Sequence, residues 1–146
     1  MGDVFDFAAY APDGRLVLLV EAKARRGTND VWAADRRKGL LESAPFARDS
    51  RFLLATPQAV YLWDPGAEPV EFPTYSIAGD VVFKRYFDAA GITAEDFIEP
   101  AVFEQIVAQW LRGVTHGDGT GSKELDGWSG LAKLLTGGRV VERTAA

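Results

Sequence analysis

Two apolar segments, residues 4–10 and Leu16–Ala22, flank the tetrapeptide Ala11-Pro12-Asp13-Gly14. No other stretch restricts the fold of this chain as tightly. Asp-Gly between two strand-like runs is a strong hairpin signal, because both central residues of a type I′ turn need positive φ. With Asp13 and Gly14 at the turn centre, Pro12 pairs with Arg15, Asp6 with Glu21 and Val4 with Lys23. Side chains alternate faces along a strand, so Glu21 and Lys23 share a face and Ala22 takes the other. Asp6 lies on the Glu21 face, and directly opposed residues have Cβ atoms roughly 4.5–5.5 Å apart. The hairpin register therefore gathers two carboxylates and one ammonium at one end of a pair of strands.

Facing carboxylates repel, and the arrangement favours a cation between them. With no cysteine in 146 residues and one histidine, His116, the ligands on offer are oxygens, which suit Mg²⁺ or Mn²⁺. Such an ion lowers the pKa of a bound water, and Lys23 is placed to orient that water or to balance charge on a phosphate. These groups together fit hydrolysis of a phosphodiester. The competing reading is a same-face ion pair of Glu21 with Lys23 at a strand end, with Asp6 in solvent. The apolar surroundings argue against it, since burying charge without partners costs at least several kcal/mol.

Charge distribution bears on the same question. The chain carries −5 overall, which disfavours a general nucleic-acid binder. Between Arg15 and Arg51, however, nine basic residues outnumber five acidic ones, a local charge of +4. A basic face on an acidic protein can contact phosphates. Arg25, Arg26, Arg36 and Lys38 are the candidates for that contact, with Arg37 beside them, and an exposed helix face is the plain alternative. The absence of cysteine also rules out disulfides and fits a reducing compartment. No charged-then-apolar leader opens the sequence and no apolar run approaches a membrane span, so a cytoplasmic protein without a membrane partner is expected.

Farther along, Thr28, Asn29 and Asp30 offer N-caps for a helix through about Glu42, with Trp32 and Leu40 or Leu41 turned inward. Arg51–Ala55 and residues 60–63 read as strands, and 64–73 as loop. A helix is expected over 80–90 with Gly91 as its C-cap, and another from Pro100 with a stripe of Val102, Phe103, Ile106, Val107, Trp110 and Leu111. Residues 113–122 read as a glycine-rich linker and 128–135 as a last short helix. The segment Gly117 to Lys123 lacks the Gly-Lys-Ser/Thr ending of a phosphate-binding loop, and His116 has no nucleophile placed near it. The four tryptophans read as core residues.

Phe5-Asp6-Phe7-Ala8-Ala9-Tyr10, Asp13-Gly14-Arg15 and Leu18-Leu19-Val20-Glu21-Ala22-Lys23 resemble the core of the PD-(D/E)XK, restriction-endonuclease-like nucleases. The similarity is greatest to the variant in restriction-enzyme subunits and covers about residues 3–64. Pro12-Asp13 matches the family's name only by letter, and Phe5 stands where the family has proline. The resemblance implies an α/β fold: a small mixed β-sheet flanked by helices in one domain, 1–146, with a helical half over about 76–136. It makes Asp6 and Glu21 metal ligands, adds the Ala22 carbonyl as a third, and makes Lys23 the catalytic lysine, with DNA as substrate. It further implies that the helix many members carry before the Asp strand is lacking, so a C-terminal helix, a homodimer partner or another subunit takes its place. A nuclease-fold module that binds nucleic acid or protein without cleaving is the alternative.

Overall fold

The computed structural model describes residues 5–117 and 126–143. Six strands form one open sheet: β1 (Phe7–Tyr10), β2 (Leu16–Ala22), β3 (Arg51–Ala55), β4 (Ala59–Trp63), β5 (Tyr75–Ala78) and β6 (Arg139–Glu142), in the order β5-β4-β3-β2-β1-β6. Only β2 and β3 run parallel; every other neighbouring pair is antiparallel. A parallel pair needs a crossover, and α1 (Asp30–Ser43), followed by a 3₁₀ turn over Pro45–Asp49, supplies it. The short helices α2 (Gly79–Val82) and α3 (Lys84–Ala90) precede the long α4 (Pro100–Thr115) and α5 (Asp126–Leu135). The expected mixed sheet flanked by helices is thus present, and mostly antiparallel.

The hairpin register holds over residues 7–9, but by a different route; Val4, expected opposite Lys23, lies outside the described residues. Phe7 pairs with Val20, Ala8 with Leu19 and Ala9 with Leu18, as an Asp13-Gly14 turn would require. The turn itself is longer. Ala11 N–H donates to Arg15 O, Gly14 N–H donates to Ala11 O, and Gly14 has φ +89°, while among the described residues no type but glycine has positive φ. That is a three-residue loop closed by a left-handed glycine, not a type I′ turn. Tyr10 then pairs with Leu16, leaving Val17 as an extra residue in a bulge that restores the register. Val17 and Leu18 consequently face the same apolar cluster.

Each face of the sheet has its own core. Leu18, Val20, Ala22, Leu53 and Val60 pack beneath Phe83, Phe103, Val107 and Leu111 of the later helices. Leu19, Phe52, Leu54, Tyr61 and Trp63 pack beneath Ala33 and Leu41 of α1. Burial on both faces explains why β2 is a continuous apolar run and not an alternating one. In α4 the expected stripe is buried except Val102, which is 45% exposed. Asn29 caps α1, its Oδ1 accepting from Trp32 N–H at 2.8 Å, and Gly91 ends α3 at φ +71°. The second half is less purely helical than expected: β5 and β6 both lie within it. The glycine-rich segment falls partly outside the described residues, and Gly113 ends up inside α4. Residues 118–122 of that segment and the Trp128 side chain are not among those described.

Arg37, grouped by sequence with candidate phosphate contacts, points inward. It is 1% exposed, donates to the carbonyls of Ala67 and Glu68 at 2.8 Å each, and lies 5.5 Å over the Trp63 ring. It clamps the 64–73 loop to α1. Burial holds its guanidinium below the ordinary arginine value, with Glu71 opposing that shift. Arg37→Ala is expected to cost about 2–4 kcal/mol, because a buried and a half-buried carbonyl lose their donor. Urea unfolding with Lys38→Ala as the exposed comparison checks this; equal midpoints for the two variants would refute the clamp.

Candidate metal and phosphate site

The carboxyl ends of the parallel strands β2 and β3, the start of β1 and the end of β6 meet at one end of the sheet. In sheets with a parallel β–α–β unit this is where ligands bind, since the strand ends open onto loops. Asp6, Glu21 and Lys23 all fall there.

Asp6 stands one residue before β1, and its side chain replaces the missing strand pairing. Its Oδ2 accepts the Ala22 N–H at 2.8 Å, and its main-chain carbonyl accepts the Arg143 N–H at 2.9 Å. A strand residue sends its N–H and C=O toward the same neighbour, so the Ala22 carbonyl is directed to the Asp6 side as well. Asp6 is thereby fixed on the residue that separates Glu21 from Lys23. It is 8% exposed.

Glu21 is 4% exposed on the α1 face. Its Oε1 takes the Lys23 ammonium at 3.3 Å and the Arg36 guanidinium through Nε at 3.1 Å and through Nη2. Its Oε2 is buried and accepts no hydrogen bond among the described residues. A buried carboxylate oxygen without a partner is costly, and such orphans concentrate where a ligand or ion belongs. Lys23 is half-exposed at the rim, its side chain 42% accessible.

Two further residues join the site that sequence reasoning did not place there. Beyond Asp6 lies a cleft of about 270 Å³ lined by Asp6, Phe7, Ala101, Glu104, Gln105, Glu142 and Arg143. Glu104 comes from the first turns of α4. Burial, then the negative charge of Asp6, raise its carboxyl above the ordinary glutamate value, while Arg143 and Lys23 pull it down. Arg143 lies 3.0 Å from Asp6 Oδ1. In sequence, Glu104 is one polar residue beside the apolar stripe of α4, and only the docking of that helix reveals its position. Arg143 follows a strand too short to stand out.

The candidate phosphate contacts separate. Arg36 is turned onto Glu21 and belongs to the site itself. Arg25 is exposed and lies 5.6 Å over the Trp32 ring. Arg26 donates to the Glu95 carbonyl at 2.9 Å, and Lys38 is exposed on α1. His116 ends α4 on the surface.

Among the described residues no group of three or more His, Asp or Glu side chains has metal-binding geometry. A Mg²⁺ site built from two carboxylates, a main-chain carbonyl and waters has fewer acidic ligands than that. No helix among those residues is long and apolar enough to cross a membrane. No protein-family model, curated protein or solved structure matches the chain.

Proposed function

We propose that the protein is a divalent-metal-dependent phosphodiesterase acting on DNA, with a restriction-endonuclease-like core. The observation that carries the reading is the buried, partnerless Oε2 of Glu21, placed beside Lys23 and one residue from the main chain to which Asp6 is bonded. These groups fit Mg²⁺ or Mn²⁺. Asp6, Glu21 and the Ala22 carbonyl would hold the ion, with Glu104 as a further acid across the cleft. When bound, the ion supplies Lewis-acid charge at a phosphoryl oxygen and eases deprotonation of a water.

The chain's own residues do the remaining work. The Asp6 and Glu21 side chains are largely buried, where charge is felt more strongly than in bulk water. The Lys23 ammonium reaches solvent beside them and offsets charge that builds on the phosphate during attack. Arg36 sets the Glu21 carboxylate, and Arg25 with Lys38 offers exposed positive charge to neighbouring phosphates. The α4 helix packs on the sheet over Leu18, Val20 and Leu53 and brings an acid, Glu104, to the cleft beside Asp6.

The first test is calorimetry with Mn²⁺ on wild type and Asp6→Ala. Wild type is expected to bind one ion and the variant to lose at least tenfold in affinity, about 1.4 kcal/mol. Equal binding by both would remove Asp6 from the site.

One observation favours a second reading. Both carboxylates already have cationic partners, Arg36 and Lys23 on Glu21 and Arg143 on Asp6. An ion-paired, non-cleaving nucleic-acid module has the same contacts. Wild type that nicks no single- or double-stranded DNA or RNA in Mg²⁺ or Mn²⁺, yet binds it in a salt-sensitive way, would establish that alternative.

A further inference from the structure

The cleft beside Asp6 holds one guanidinium among acids. Arg143 meets Asp6 Oδ1, while Glu104 and Glu142 line the same space, and Glu142 is itself paired with Arg112 at 2.7 Å. The two partners of the Asp6 contact differ in exposure. Asp6 is fixed by the Ala22 N–H, and its side chain is 9% exposed. The Arg143 side chain is 41% exposed and follows an edge strand of four residues whose outer side pairs with nothing among the described residues. The arginine is the partner open to solvent.

We propose that the Arg143 guanidinium is an exchangeable counter-ion for Asp6, competing with a divalent cation for the same carboxylate, so that the β6 edge strand controls loading of the site. The inference rests on the metal-site reading of Asp6 and Glu21. Two cations that compete for one carboxylate are reciprocally linked: removing one strengthens the other, and binding of one loosens the other by the same factor. A half-exposed ion pair is worth little in isolation, so the coupling is modest and measurable, and does not block binding. The design keeps Asp6 neutralised when no ion is bound, sparing β1 and β2 an uncompensated carboxylate.

Mn²⁺ calorimetry on wild type, Arg143→Gln and Arg139→Gln tests this. Arg139 precedes it on the same strand, stacks on Tyr10 at 4.4 Å, and its replacement makes the same charge change without touching Asp6. Arg143→Gln is expected to tighten Mn²⁺ binding roughly three- to tenfold and Arg139→Gln to change it less than twofold. In wild type, the side-chain N–H signal of Arg143 is expected to shift with Mg²⁺ over the same concentration range as binding. Arg143→Lys keeps the charge and shortens the reach; it is expected to fall between the two, and it serves if the glutamine variant folds poorly. Unchanged or weaker binding in Arg143→Gln would overturn the exchange, as would equal tightening in Arg139→Gln. Absence of Mn²⁺ binding in every protein would instead overturn the metal-site reading on which it rests.

Discussion

Lys23→Ala is expected to lower plasmid nicking about a hundred- to a thousandfold while leaving the fold intact and Mn²⁺ affinity undiminished. The ammonium touches one oxygen of Glu21, and the Arg36 guanidinium holds that same oxygen, so the carboxylate stays in place without Lys23. What is lost is positive charge at the solvent-facing rim, where a phosphate would sit. Glu21→Gln is expected to behave differently. The amide keeps the shape, but Arg36 loses its anion and the orphaned oxygen or its replacement no longer attracts a cation. Cleavage and metal affinity then fall together. The assay is run at low salt, because a chain of charge −5 associates poorly with DNA once its basic face is screened. Nicking by Lys23→Ala at the wild-type rate would exclude Lys23 from the chemistry. Loss of cleavage in Glu21→Gln with unchanged Mn²⁺ binding would assign Glu21 a role other than ligand.

The elements that could be read in advance are those with local chemistry. Asn29 announces α1 through its capping oxygen, and Gly91 ends α3 because a left-handed residue is needed there. The pairing of Ala9 with Leu18 followed from alternation around Asp13-Gly14, yet the loop is one residue longer and the Val17 bulge offsets it. Sequence does not display such a compensation, since a bulge is chosen by packing on the core. The strands β5 and β6 were hidden for a related reason. Arg139-Val140-Val141-Glu142 has two apolar residues and becomes a strand only because β1 offers an unpaired edge.

The site divides the same way. Lys23 meets Glu21, and Asp6 meets the Ala22 N–H between them, because one hairpin carries all three. Glu104 and Arg143 reach the same corner from far along the chain, by docking of α4 and β6. Arg36 and Arg37 show the limit of composition. Adjacent in sequence and identical in type, one faces a carboxylate at the site and the other is buried over Trp63. A helix turns about 100° per residue, and only the position of the sheet decides which of the two lies inside.

Gly138→Ala is expected to destabilise the fold by about 2–4 kcal/mol, more than the same change at its neighbour Gly137. The two glycines are needed for different reasons. Gly137 has φ +84°, with its nearest obstacle, the Pro12 ring, at 3.3 Å, so alanine there meets ordinary left-handed strain of roughly 1–2 kcal/mol. At Gly138 the obstacle is backbone. An added Cβ would lie 1.8 Å from the Tyr10 carbonyl oxygen and 2.9 Å from that of Leu135. Neither oxygen can swing aside as a side-chain tip would, so β6 must shift away from β1. The pairing from Tyr10–Arg139 to Phe7–Glu142 is then lost or displaced, along with the Arg112–Glu142 bridge and the Arg143 contact to Asp6. Unfolding in urea gives the stability difference. Mn²⁺ titration of the folded Gly138→Ala protein links it to the site, with affinity expected to rise if β6 restrains Asp6 only through Arg143 and to fall if the strand also holds the carboxylate in place. A Gly138→Ala protein as stable as wild type would mean that β6 is not seated against Tyr10 as closely as the contact at this glycine requires.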